Sequence, residues 1–282
     1  MKSQSRQTGT KYFTAVFVVV MLLLQFSCKD KIEGCMDITA VNWDASADRS
    51  CDDCCTYPSL TYSIEHNWLD TLIRFDTTYL SPNGMPFQIT GIRYYLSDFK
   101  LFSSDVAYAP RDSLEVELYT AGGNEEKTID DNFALVSTFT KTGTIGIFRN
   151  TDLSVDSVVF SVGLHAMANA VDPVSVTVGH PLAIDSDSMF QSRDSGYIFA
   201  KIGIVSDTLA NDTTIYRIVG NSNRIEMRFN WSSDLVRGTN VVIPIKLKYS
   251  ELFMGINFAT DTPESIKGAF VNNLSNTFII DE

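Results

Sequence analysis

Phe87–Ser104 reads "FQITGIRYYLSDFKLFSS", and its apolar side chains fall on every second position through Ile92, Tyr94 and Leu96. A period of two sends successive side chains to opposite faces, which is how a strand lays one face on a core. The cluster Pro82-Asn83-Gly84 stands just upstream, and such residues punctuate strands because they take turn conformations cheaply. The same alternation extends in both directions. "LTYSIEHNWLDTLIRFDTTYLS" (60–81) carries it upstream, and "LSVDSVVFSVGLHAM" (153–167) places Val158, Phe160, Val162 and Leu164 on one face. "SGYIFAKIGIVS", "IYRIVG", "NRIEMRFNWS" and "TNVVIPIKLKYSELFM" continue it toward the C-terminus. Helical periodicity is confined to short candidates at Ser250–Gly255 and Pro263–Asn272, and no repeat of 20–50 residues occurs. The expected fold of residues 59–282 is all-β: an antiparallel β-sandwich with one or two short helices.

Catalytic signatures are missing from the sequence. It holds no Gly-x-Ser-x-Gly, no phosphate loop and no His-Glu-x-x-His, and a triad would have to draw on His66, His165 or His180 without supporting context. The expectation is a protein that is not an enzyme; a hydrolase built on loop carboxylates is the weakest alternative. With 22 basic against 34 acidic residues the net charge is −12, which argues against nucleic acid, whose phosphates need Lys and Arg to neutralise them.

The N-terminus reads as a targeting segment. Lys2, Arg6 and Lys11 form a positive n-region, Ala15–Leu24 is uninterruptedly apolar, and Ser27 precedes Cys28. Ten residues at about 1.5 Å each cannot cross a hydrocarbon core of about 30 Å, so a signal peptide over residues 1–27 fits better than a membrane span. A small residue before cysteine resembles a lipobox, although Gln25 stands where an aliphatic residue is usual. Cys28 is therefore expected to be the lipidation site, with residues 28–32 as a tether; an ordinary secretory cleavage near Ser27 is the alternative. The charged Lys29-Asp30-Lys31 resembles the export signals of surface lipoproteins of the Bacteroidota type. Removing residues 1–27 leaves 19 basic residues against 34 acidic ones, a net charge of −15. The expected location is the cell envelope: an outer membrane lipoprotein, periplasmic or surface-exposed, whose membrane partner is reached through acyl chains.

Residues 33–58, "EGCMDITAVNWDASADRSCDDCCTYP", crowd Cys35, Cys51, Cys54 and Cys55 among aspartates. So short a segment buries little apolar surface, and disulfides are the usual remedy. Four cysteines allow three pairings; adjacent Cys54 and Cys55 are expected to reach separate partners in Cys35 and Cys51. The segment resembles small cysteine/aspartate modules of secreted bacterial proteins through Gly34, Cys35, Asp37, Ala40, Asn42, Trp43, Asp44 and Ala47. Its carboxylates suggest Ca²⁺, which takes six to eight oxygen ligands; the alternative is a stapled spacer whose aspartates cap turns.

Four blocks in the larger part resemble the MbnP-like domain in order. They are Tyr94-Tyr95-Leu96-Ser97 after "GMPFQI"; Phe160, Val162, Gly163 and Asn169; His180-Pro181-Leu182 with Met189, Gly196, Tyr197 and Lys201; and "VVIPIKLKYSELFMGIN". The resemblance covers roughly residues 59–280 and implies a secreted β-sandwich. Close relatives in that family bind copper through histidines, sometimes beside an oxidised tryptophan, so copper is the ligand it implies. His66, His180 and Met189 are the matching metal candidates, imidazole plus thioether being acceptable to Cu(I). Against this, the family's Met-x-Trp-x-Trp becomes Met189-Phe190-Gln191-Ser192-Arg193, and Ile218-Val219-Gly220 replaces a His-x-Gly. Without a metal, His66 would be an exposed strand residue, His180 a turn residue before Pro181, and Met189 core filling. The competing functional reading keeps the scaffold and binds an unknown protein or glycan.

Overall fold

The computed structural model describes residues 30–281 apart from 52, 76, 186 and 207–211. The signal segment and Cys28 lie outside the described residues. Two compact units are present. One holds the described residues up to Asp37 together with Asn42–Cys55; the other holds Ile38–Val41 and Thr56 onward.

In the small unit, β1 (Glu33–Gly34) pairs in parallel with β2 (Arg49–Ser50). Disulfides join Cys35 to Cys55 and Cys51 to Cys54. The aspartates shape turns: Asp44 Oδ1 accepts from the Ser46 amide at 2.8 Å and from its hydroxyl at 2.7 Å, and Asp48 Oδ2 accepts from the Ile32 amide at 3.2 Å. The hydrogen bonds from Ser46 hold the Asp44 carboxyl below its ordinary range. Cys51, Cys54 and Cys55 come within metal-ligating distance of one another, but each thiol is consumed in a disulfide.

The large unit is the expected β-sandwich. Its strands begin with β3 (Ser59–Trp68), β4 (Thr71–Leu72), β5 (Thr78–Leu80), β6 (Pro86–Ser103) and β7 (Val106–Tyr108). The hairpin β8 (Ser113–Thr120) and β9 (Gly123–Asp130) comes next, then β10 (Phe133–Ser137), β11 (Thr142–Ile147), β12 (Leu153–Val162) and the single-turn α1 (Ala166–Asn169). Beyond it lie β13 (Phe190–Ser192), β14 (Gly196–Val205), β15 (Thr214–Val219), β16 (Ile225–Leu235) and β17 (Val241–Lys248). The chain ends with α2 (Tyr249–Leu252), α3 (Pro263–Thr277) and β18 (Phe278–Ile280). The two helices expected near the C-terminus are present, and Thr262 caps α3 by accepting from the Ser265 amide.

Strand β6 organises the larger sheet. It pairs antiparallel with β14, β10, β12, β5 and β7, while β16 extends the sheet beyond β12 and β15 beyond β14. The opposing sheet runs β11-β3-β17-β18. One pairing departs from the antiparallel rule: β3 and β17 run parallel through eight residue pairs from Val241↔Leu60 to Lys248↔Asn67. Between the sheets Leu60, Tyr62 and Ile64 meet Ile92, Tyr94, Phe160 and Ile243 in one apolar core.

A second, smaller core covers part of the outer face of the larger sheet, built on Tyr95, Tyr197 and Phe199 beneath residues of β8, β9 and the 164–189 segment. Both cores can draw on β6 because its side chains alternate: Ile92 and Tyr94 face inward, Arg93 and Tyr95 outward. That alternation is reset twice. At Thr90–Gly91 the register against β14 slips, and at Asp98, whose φ is 56°, it slips again against β12, so that Phe87, Ile89, Phe99 and Leu101 all reach the inner core. Each slip is a β-bulge, which inserts one unpaired residue and re-aims the side chains beyond it.

Candidate ligand groove on the outer face of the large sheet

Register places Arg93 of β6 directly opposite Lys201 of β14, and Lys201 opposite Arg217 of β15. Three cations therefore stand in one row across three strands. Lys201 and Arg93 side chains are mostly covered, at 15% and 18% exposure, while Asp185 and Asp187 are about half exposed. Arg93 Nη2 donates to Asp185 Oδ2 at 2.8 Å and Nη1 to Asp187 Oδ2 at 3.0 Å; Lys201 Nζ donates to Asp187 Oδ1. Burial works to raise the Asp187 carboxyl, but the hydrogen bonds from Lys201 and Arg93 outweigh it and hold the group below the usual carboxylate range.

The loop carrying these aspartates is tied down from beneath. Tyr95 donates its hydroxyl to the Pro181 carbonyl at 2.9 Å, and Tyr197 donates to the Leu182 carbonyl at 2.8 Å. Burial drives both phenols well above their ordinary range, so they stay neutral donors. Asn169 Oδ1 accepts the Tyr197 amide at 2.7 Å, and its side chain reaches Asn221. Gly196 has φ 69°, and a Cβ there would lie 2.4 Å from the Asn169 carbonyl oxygen. Asn169, Gly196, Tyr197 and Leu182 of the matched blocks thus hold the loop to the sheet.

Two clefts flank the loop. One of about 450 Å³ lies between Val178–Asp185 and the β10 residues Leu135 and Ser137. The other, of about 200 Å³, runs over Gly91 and Gly203. Arg93 lines both, so Asp185 and Asp187 clamp the arginine that the two clefts share.

The metal candidates occupy different places. His66 lies on β3, buried rather than exposed, at 6% exposure. Its Nε2 lies 2.7 Å from the Thr140 carbonyl and its Nδ1 2.8 Å from the Tyr249 hydroxyl. A carbonyl only accepts, so Nε2 carries the proton and Nδ1 takes the tyrosine hydroxyl. Burial lowers the basicity of this imidazole. His180 Nδ1 accepts from the Leu182 amide at 3.2 Å, which puts its proton on Nε2, 3.2 Å from Asp131 Oδ1. Met189 is 3% exposed and belongs to the outer core.

Copper needs lone pairs aimed at a common point. Here both nitrogens of both rings are spent on protein partners, and His66 borders the core between the sheets while Met189 lies in the outer one. As arranged, neither imidazole offers a free lone pair to a metal. In the small unit the carboxylate of Asp44 is engaged in its own turn.

The MbnP family model matches residues 57–268, three quarters of the chain. This chain belongs to the MbnP family. No curated protein is similar enough in sequence to match. Among solved structures, MbnP from Methylosinus trichosporium is similar at 13% identity and a TM-score of 0.42, over 70% of this chain and 76% of that one.

Arg93, Asp185 and Asp187 went unseen in the sequence, and Lys201 stood among the matched positions without a role. Residues 93 and 201 become neighbours only through the register of two strands far apart in the chain, a relation no local pattern encodes.

Proposed function

We propose that this member of the MbnP family is a lipid-anchored, extracytoplasmic binding protein without enzymatic activity, and that its sandwich takes its ligand in the groove around Arg93 rather than through metal ligation. One observation carries the choice: the imidazoles of His66 and His180 are each satisfied at both nitrogens, whereas the groove holds charged donors beside open clefts. The anchor is supported by the N-terminal sequence, with Cys28 carrying the acyl chains and the cysteine module following it in the chain. An acidic surface suits a protein displayed at the cell envelope.

Copper handling is the competing reading, favoured by family membership. Titration of the purified chain with Cu(I) and Cu(II) under chelator competition separates the two. The metal-free reading expects no uptake beyond that of a His66→Ala/His180→Ala variant; stoichiometric binding abolished in that variant would overturn it. For the anchor, a fatty-acid analogue supplied to growing cells should label the wild-type chain and spare Cys28→Ser. Equal labelling of both would refute Cys28 as the acylated residue.

A further inference from the structure

Gly91 and Gly203 face each other across the pairing of β6 with β14. Side chains normally roof a sheet, but Gly91 leaves bare backbone that floors the 200 Å³ cleft, while the Thr90 hydroxyl stands over Gly203, in the space a Cβ there would need. A Cβ on Gly91 would meet nothing within 4 Å, so the space above it is open. Arg93, Lys201 and Asp187 close one end of the cleft, and Thr90, Thr213 and Ile215 line the rest.

The walls are chemically divided. Among the described residues Asp187 is the one acceptor of Lys201 Nζ, which leaves two of its three N–H groups for another. Among the described residues neither the Thr90 nor the Thr213 hydroxyl has a hydrogen-bond partner, and both threonines are exposed to the cleft's solvent side. Ile215, 41% exposed, adds an apolar wall. Arg93, Lys201 and Arg217 against Asp185 and Asp187 give this row a local charge of +1 on a chain of net charge −12. Ordinary drug-sized pockets span about 300–1,000 Å³, so this one admits only a small molecule.

We propose that the glycine-floored cleft binds a small hydroxycarboxylate of the size of one uronic acid. Its carboxylate takes the position at Lys201 and Arg93 that Asp187 now fills, its hydroxyls reach Thr213 and the Thr90 hydroxyl that stands over Gly203, and its carbon face lies over Gly91. Asp187 is then an internal stand-in for the ligand, exposed enough to move aside. The assignment rests on the proposed groove and names its ligand class.

Isothermal titration or ligand-observed NMR with glucuronate, glucose and inorganic phosphate as probes tests it on the purified chain. Glucuronate is expected to bind with a Kd of roughly 1 mM, at least tenfold tighter than glucose or phosphate. Lys201→Gln should weaken glucuronate at least tenfold. Gly91→Val should do the same while leaving the thermal melt unchanged, because the added side chain points into open space on a strand that favours β-branching. Asp187→Asn, by removing the competing carboxylate, should strengthen binding severalfold. Equal affinity for glucuronate and glucose, phosphate binding as tightly as glucuronate, no glucuronate binding, or full binding by Gly91→Val would each overturn the proposal. Such a failure leaves the metal-free reading intact, since the copper titration reports on His66 and His180 instead.

Discussion

Replacing Gly196 by alanine isolates the contact that ties β14 to the loop above it. Two costs are involved. Gly196 has φ 69°, where any L side chain is strained by about 1–2 kcal/mol. In addition, the new Cβ would fall 2.4 Å from the Asn169 carbonyl oxygen and 2.4 Å from its side-chain oxygen, the atom that accepts the Tyr197 amide. Neither atom is the loose end of a flexible chain, so Asn169 must shift. Leaving the Tyr197 amide buried without an acceptor costs about 1–3 kcal/mol. Gly255 supplies the control: its φ is 75°, and nothing lies within 4 Å of the Cβ position. Gly255→Ala bears the backbone strain alone, and both variants gain similarly from a stiffer unfolded chain. Urea denaturation should therefore show Gly196→Ala less stable than Gly255→Ala by about 2–3 kcal/mol, read as a lower midpoint at similar slope. A difference below about 1 kcal/mol would show that Asn169 yields freely, and that the junction does not hold the loop.

Three further outcomes rest on the same geometry. Because burial depresses the His66 pKa in the folded state, the unfolded chain takes up a proton first as pH falls; stability present above about pH 6.5 should decline below it, and His66→Gln should flatten that slope in urea melts run from pH 7.5 to 5. Cys35→Ser with Cys55→Ser should cost the small unit about 3 kcal/mol, as expected for a loop of roughly this length; an unchanged urea midpoint for that unit would contradict it. Tyr95→Phe and Tyr197→Phe should each lower the hydrogen-exchange protection of the Leu182 and Ala183 amides, and the double variant should depart from additivity because the rings meet edge-on at 5.9 Å.

The sandwich was legible because most strands bury one face and write that fact as alternation. Where the reading was incomplete, β6 explains why. Its inward positions switch from odd to even at Thr90–Gly91 and back at Asp98, so a search for one unbroken period recovers Ile92, Tyr94 and Leu96 and loses Phe87, Ile89, Phe99 and Leu101. The burial of His66 did have a signal: Leu60, Tyr62 and Ile64 already define the inward face, and residue 66 continues it. The parallel pairing of β3 with β17 left none, since parallel and antiparallel neighbours carry the same alternation. The groove was the least legible part, because it depends on which outward residues stand side by side, and that is a property of register rather than of composition.

The parallel pairing also bears on how the chain reaches this state. β3 is the first long strand of the large unit, and β17, which covers it along eight residues, is made some 180 positions later. Closing so wide a span must precede any reward from the contact, and such non-local pairing slows folding. A chain that emerges N-terminus first holds β3 with one edge bare until some 180 further residues are available. Pairing along that edge of β3 then waits for β17, and shielding of the bare edge falls in the meantime to whatever meets the nascent chain.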